Sequence, residues 1–529
     1  MPNRSNIDDA ARGSRSVSKR TPSSPGVTRP AQSPAALPAT RTETVGHAPH
    51  SGAELTALSA VDAVRSLVQG DIKAEDYCRA LLRRCEAGAH LNAFISIRPE
   101  LALATANECD RKRRSGAKLG RLHGLPICIK DSVNTVDFPT TAGTPGLHHF
   151  QPGEDAPIVR ALRDQGAIVL GKNNMHELSW GYSNNNEAYG AVRNPYDPTR
   201  IAGGSSGGTA ASIAYRMAPL GVAEDTEGSI RVPAALSGIA GFRPTTGRYE
   251  SAATAPTTPL FDQLGPHART VSDLFLFDAV LTGTSLDLSP PPLKGIRLGI
   301  VRSYFWTRLD PEVERITAAA LDGLQRAGIE LVEDDFPELD RLIKLVTRPV
   351  QYHDFRPTMT RYLAQYNAGL TFEELIAKAS PEMQSITESM IAANGSNFVS
   401  DRQYDEILKV HLPALHAMYR SYFARARVAA IVFPAAIIPA PSLQSLTREA
   451  DMRVIVGGEW MSFDAAISRN IAPGSTAGLP GLVLPAGLTG DGVPVALEFD
   501  GPWGSDRRLL TLGLALEAEL GQLPPPPSV

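Results

Sequence analysis

Three residues in this chain have the types and settings needed for nucleophilic acyl chemistry. Ser205 and Ser229 lie 24 positions apart in glycine-rich turns, Gly203–Gly208 (GGSSGG) and Asp225–Arg231 (DTEGSIR). Upstream, Leu122–Ile129 (LHGLPICI) is an apolar run with β-branched residues that predicts a strand delivering Lys130, followed by Asp131 and Ser132. A lysine closing a buried strand needs a carboxylate partner or must lose its proton, because an unpaired buried ammonium is costly. A deprotonated lysine is a general base. A serine in a turn that feeds a helix N-terminus sits among unpaired N–H groups and a favourable helix dipole, the setting a tetrahedral oxyanion requires.

The elements that must position these residues are readable around them. Thr209–Arg216 predicts a helix and Ala218–Ala223 a short buried strand. Val232–Gly238 predicts a second helix, with proline in its first turn and glycine at its end. Each serine is thus expected at a turn-to-helix junction. From 120 to 250 strands and helices alternate: Ile158–Gln165 reads as a helix closed by Gly166, and Ala167–Leu170 as a buried strand. This alternation argues an α/β sheet with helices on both faces, and active-site turns gathered at strand ends. Leu298–Val301 starts another such unit, and Asp310-Pro311 opens a helix to Ala327 that Gly328 closes. Residues 54–88 read as two amphipathic helices with Gly70 between them, and Leu91–Ile95 as a strand. Residues 340–427 are mostly helical and rich in aromatics, and are expected to supply the wall of a substrate pocket; Val428–Phe433 is a buried strand ended by Pro434.

Composition excludes several classes. The 529 residues carry a net charge of −4, with 43% hydrophobic and 20% charged residues, ordinary for a globular protein with a large core. The body has no long basic run, so nucleic-acid binding is not expected. No segment is long and apolar enough to span a membrane. Cys78, Cys85, Cys109 and Cys128 show neither metal-ligand spacing nor a dense disulfide pattern, and a reduced, cytoplasmic protein is the simpler reading. Residues 1–50 hold seven Lys/Arg against three Asp/Glu and no aromatic residue. They are expected to form a disordered extension, with a transit peptide as the second reading. Residues 51–529 are expected to form a single domain.

The hexamer Gly203–Gly208 is weak on its own. It could be a linker, and it contains the esterase pattern G-x-S-x-G, which would need an acid and then a histidine downstream. The last of the eleven histidines is His416, and none stands in a triad context. A phosphate loop would need G-K-[ST], whereas Gly208 is followed by Thr209-Ala210. Taken together, the motifs resemble the amidase signature family of serine hydrolases. The matching segments are Leu122–Gly146, Gly171–Gly181 (GKNNMHELSWG), Gly190–Gly208, Asp225–Thr245 and Gly474–Leu510, in the family's order and spacing. The last of these and Thr245–Glu250 (TTGRYE) are similar to the indoleacetamide and mandelamide hydrolase branch.

The resemblance implies a large mixed β-sheet core flanked by helices, and roles by position. Ser229 would be the nucleophile, Ser205 the bridging serine after a cis peptide bond from Gly204, and Lys130 the base. Backbone N–H groups of Thr226, Glu227, Gly228 and Ser229 would form the oxyanion hole. Ser206, Asp225 and Arg231 would support the turn. No metal or organic cofactor is implied. The chain departs from the family at Ala223-Glu224, where Gly-Thr is usual, and at Glu227, where glycine is usual. These carboxylates are expected to be solvated or bound to arginine; the competing reading is recognition of a polar or cationic leaving group. The function implied is hydrolysis of a small aryl or arylalkyl amide, with carbamates and esters accessible to the same triad, by a monomer or homodimer. Two alternatives stand beside it: an amidotransferase A-type subunit releasing ammonia from glutamine, and a non-catalytic binding protein on the same fold.

Overall fold

In the computed structural model, which describes residues 51–443 and 452–527, the apolar run ahead of Lys130 becomes a strand only at Pro126–Lys130. Leu122–Leu125 form a turn instead, closed by Leu125 N–H donating to the Leu122 carbonyl. All five strand residues are buried. A strand covered on both faces reads as a continuous apolar run rather than an alternating one, and is usual for parallel neighbours.

Among the described residues there are thirteen strands, in chain order: β1 Phe94–Ile97, β2 Pro126–Lys130, β3 Ile168–Asn173, β4 Leu220–Asp225, β5 Ala240–Arg243, β6 Gln263–Ala268, β7 Arg297–Ile300, β8 Glu330–Glu333, β9 Ala430–Pro434, β10 Arg453–Val456, β11 Glu459–Ser462, β12 Gly481–Leu488 and β13 Pro494–Asp500. Eleven of them form one sheet in the order β1-β3-β2-β4-β6-β5-β12-β13-β9-β7-β8, and β10 and β11 form a separate hairpin. The sheet is mixed: β2 runs parallel to β3 and β4, and β7 parallel to β8 and β9, whereas β4–β6, β5–β6, β5–β12, β12–β13 and β13–β9 are antiparallel. Helices flank it, as expected for an α/β core. Because β2, β3 and β4 are parallel neighbours, their carboxyl ends at Lys130, Asn173 and Asp225 emerge at one edge, where the site is built.

The helices show where the sequence reading was too coarse. Residues 54–88 hold three helices, Gly52–Ala57, Ala60–Gln69 and Ala74–Ala87, not two. Ser59 makes the extra break: its hydroxyl accepts from the Asp62 N–H and caps the second helix. Gly70 then closes that helix at φ +86°, as expected. The strand placed at Leu91–Ile95 starts only at Phe94, because Ala89–Leu91 form a 3-10 turn. The aromatic region is led by the helix Leu339–Gln365, which runs through Pro349 and Pro357. The expected disordered extension, residues 1–50, lies outside the described residues.

Candidate active site

Two turn-to-helix junctions carry the serines. Ser205 follows a cis peptide bond from Gly204 and stands just before the helix Gly207–Ala214. Ser229 stands just before the helix Arg231–Ser237, whose C-cap Gly238 is left-handed. Neighbouring backbone presses on the first junction: a Cβ on Gly208 would lie 2.3 Å from the Asn174 carbonyl oxygen and 2.5 Å from that of Ala93. Gly228 has φ +135°, and a Cβ there would meet Ile471 Cγ2 at 2.6 Å, so this position needs glycine for both conformation and space.

Lys130 reaches Ser205. Its Nζ donates to Ser205 Oγ at 2.7 Å and to Ser179 Oγ at 3.2 Å, and it lies 3.2 Å from Glu224 Oε2. Lys130 and Ser205 are fully buried, and Ser229 is 5% exposed. Burial pulls the Lys130 amine below its ordinary range; the Glu224 charge opposes that but does not cancel it. Ser206 braces the same corner: its hydroxyl donates to the Glu224 carbonyl at 3.1 Å and accepts from the Glu224 N–H at 3.4 Å. The Ser229 hydroxyl makes no side-chain hydrogen bond among the described residues, to Ser205 included.

The turn before Ser229 is folded around Asp225. Its Oδ1 accepts from the Gly228 N–H at 2.8 Å and its Oδ2 from the Ile230 N–H at 3.1 Å. Arg231 Nε reaches Oδ2 at 3.1 Å, Arg243 Nε lies 3.3 Å from Oδ1, and Ser475 Oγ donates to Oδ1 at 3.0 Å. Burial pushes the Asp225 carboxyl up, but the two guanidiniums outweigh it and hold the group well below the usual carboxylate range. Arg231 also donates to Glu498 and Ser475. One expected oxyanion donor is therefore spent: the Gly228 N–H belongs to Asp225. The N–H groups of Thr226, Glu227 and Ser229 have no protein acceptor among the described residues.

The two unexpected carboxylates part company. Glu227 is bound to arginine, one of the two settings expected for it: Arg348 Nε lies 2.8 Å from its Oε2, and Gln351 Nε2 donates to the same oxygen at 2.7 Å. Arg348 also pairs with Asp464 at 2.8 Å. The Leu339–Gln365 helix is thereby tied to the Ser229 turn. Burial raises the Glu227 carboxyl, and Arg348 partly offsets it. Glu224 is neither solvated nor bound to arginine. It is 1% exposed, faces Lys130, and accepts from Ser132 Oγ at 2.8 Å and Ser179 Oγ at 3.2 Å. It lies on strand β4, all six of whose residues are buried. Sequence reasoning missed Ser179, Ser132, Arg243 and Ser475. All four lie inside the matching segments, Ser132 in Leu122–Gly146, Ser179 in Gly171–Gly181, Arg243 in Asp225–Thr245 and Ser475 in Gly474–Leu510, so position was the available signal.

An aromatic group stands beside the turn. Trp180 stacks on Tyr352 with ring centres 6.1 Å apart and meets Phe355 edge-on at 5.2 Å. The Tyr182 hydroxyl donates to the Glu227 carbonyl at 3.4 Å, under the Arg348 guanidinium, which lies 5.8 Å from the ring centre.

Comparison with known proteins bears on this geometry. The family model described as "Amidase" matches residues 76–510. An indoleacetamide hydrolase of Agrobacterium vitis is 37% identical over 460 residues, covering 87% of this chain and 96% of that protein. A mandelamide hydrolase of Pseudomonas putida is 36% identical over 470 residues, covering 86% and 90%. The solved structure of the native peptide amidase from Stenotrophomonas maltophilia superposes with a TM-score of 0.75 at 26% identity, covering 89% of this chain and 98% of that one.

Proposed function

The chain belongs to the amidase signature family and is a hydrolase acting on carbon–nitrogen bonds, and from that premise we propose that it cleaves a small aryl or arylalkyl amide through a Ser229 acyl-enzyme. The observation that carries this reading is the buried 2.7 Å contact between Lys130 Nζ and Ser205 Oγ, beside the turn that holds Ser229. The Ser205 O–H bond breaks and its proton forms a new N–H bond on neutral Lys130. In the same event Ser205 oxygen takes the Ser229 proton. The freed electron pair of Ser229 Oγ bonds to the substrate carbonyl carbon, and the carbonyl π pair moves onto oxygen. The unpaired N–H groups of Thr226, Glu227 and Ser229 receive that oxyanion. Collapse expels the amine, which collects the proton back along Lys130 and Ser205. Water repeats the sequence on the acyl-enzyme and releases the carboxylate. The Ser229 hydroxyl, bound to no side chain, is free to turn toward Ser205; such bonds tighten when substrate arrives.

Trp180, Tyr182, Tyr352 and Phe355, next to the oxyanion turn, support an aryl-binding wall, as do relatives named for indoleacetamide and mandelamide. Carbamates and esters offer the same electrophilic carbon. The four cysteines are unpaired thiols, which supports a reducing, cytoplasmic setting for a monomer or homodimer. The test is product mass from a panel of aryl amides, carbamates, esters and glutamine, with fluorophosphonate labelling of wild type and Ser229→Ala. The reading expects labelling at Ser229, arylacetamide turnover, and neither in the variant. Glutamine as the preferred substrate would favour an amidotransferase subunit, and an unlabelled protein that turns over nothing would favour a binding role.

A further inference from the structure

Lys130 has two neighbours of opposite character: Ser205 in front, to which it donates, and the buried carboxylate of Glu224 behind. Glu224 Oε2 gathers Lys130, Ser132 and Ser179, and Ser179 also accepts from Nζ. Its Oε1 is buried with no partner among the described residues, and Glu224 lines a cavity of about 290 Å³ together with Thr254 and Asp262. We infer that Glu224 is a positioning residue for the proposed reaction: its carboxylate holds the Lys130 amine against Ser205 and supplies the counter-charge for the ammonium formed when that amine takes the serine proton. The inference rests on the Ser229–Ser205–Lys130 reading.

The physical argument is one of burial. An ammonium formed at a fully buried site is poorly solvated, so an adjacent anion lowers the energy of the state in which Lys130 holds the serine proton. The same anion makes resting Lys130 hold its own proton more firmly, so Glu224 trades base availability against stabilisation of the charged intermediate. Other charged and titratable groups face this corner. Asp225 on β4 is held ionised by Arg231 and Arg243. His267 on β6 is held neutral, lowered to about 4 by burial. Tyr362, on the Leu339–Gln365 helix, is raised well above its ordinary value by burial. Asp262 is the one that could imitate Lys130: burial and then the Glu224 charge push it up to about 8, and it accepts from Thr226 Oγ1 at 2.6 Å.

The experiment is the pH profile of kcat/KM for a neutral aryl amide in wild type, Glu224→Gln, Asp262→Asn and Ser132→Ala. Removing the Glu224 charge lowers the proton affinity of Lys130, so the acid limb moves to lower pH by about one unit or more, a tenfold change in that affinity. The plateau falls by about tenfold or more, because the ammonium has lost its counter-charge. The limb persists in Asp262→Asn, which assigns it to Lys130. A limb that stays within about 0.3 unit in Glu224→Gln overturns the inference. So does a limb that vanishes in Asp262→Asn, or one that Ser132→Ala moves equally, since that variant takes a hydrogen bond from the same oxygen and no charge. Failure of the underlying reading looks different: Ser229→Ala or Lys130→Ala would then keep turnover.

Discussion

At the scale of single residues, Lys130 and Glu227 show how burial decides what a charge can do. Burial lowers the Lys130 amine, and only the neutral amine accepts the serine proton. If Lys130 is the base of the proposed relay, it gains a proton as pH falls through its depressed value, and wild type is expected to show an acid limb set by this group. Lys130→Ala is expected to lose turnover by several orders of magnitude and to lose that limb; a flat wild-type profile with chemistry rate-limiting would count against a lysine base. Glu227 is buried too, yet its charge is spent on Arg348 and Gln351, and its backbone lies outside the left-handed region that would require glycine. Glu227→Gly is therefore expected to keep kcat/KM for a neutral aryl amide within about tenfold, about 1.4 kcal/mol. A loss of several orders, with the fold intact, would place Glu227 in the chemistry.

At the scale of elements, the Ser229 turn is held from outside its own stretch of chain. Arg231, the first residue of its helix, is fully buried and binds Asp225 before it, Ser475 in the helix Ala472–Ala477, and Glu498 on β13. Removing it leaves buried carboxylates without their cation, which costs about 3–5 kcal/mol. Arg231→Met is expected to lower the urea unfolding free energy by about that amount and to cut the yield of soluble protein. A change under about 1 kcal/mol would mean that the carboxylates find other partners. The sequence made much of this element legible. The two glycine-rich turns, the helices after them and the strand before Lys130 all follow from local punctuation, within a few residues. The contacts of Glu224 and Arg348 were not legible, because neither has a local signature. Glu224 is inward because β4 is covered on both faces, and Glu227 meets Gln351 across 124 positions of chain.

At the scale of the whole molecule, the alternating pattern from 120 to 250 announced an α/β sheet. It could not announce the order of the strands, since pairing between distant segments leaves no period to read. The hairpin β10–β11 went unseen for a related reason: it is four residues a side and lies beside no motif. The family match begins at residue 76 and the first described helix at Gly52, so the chain ahead of them contributes no matched motif. A protein lacking residues 1–50 is expected to keep wild-type kcat/KM within about twofold, or about 0.4 kcal/mol; a soluble truncation that loses most of its turnover would give that segment a part in the site.

The placement of β12 and β13 has a consequence for how the protein is made. These are the last two strands of the chain, yet in the sheet they lie between β5 and β9 and join its early and late halves. While the ribosome is still extending the polypeptide, β1–β6 and β7–β9 emerge as two separate partial sheets, each ending in an unsatisfied edge. Residues 481–500 then enter as a paired wedge and bring Glu498 to Arg231. At about 5–20 residues per second, the wait between the emergence of Ser229 and that of Glu498 is on the order of tens of seconds. Throughout that interval the nascent chain carries both serines and the lysine, but Arg231 lacks its late partners Ser475 and Glu498. Completion of the sheet therefore waits on its last strands, and until they emerge the open edges of both partial sheets are exposed to mispairing.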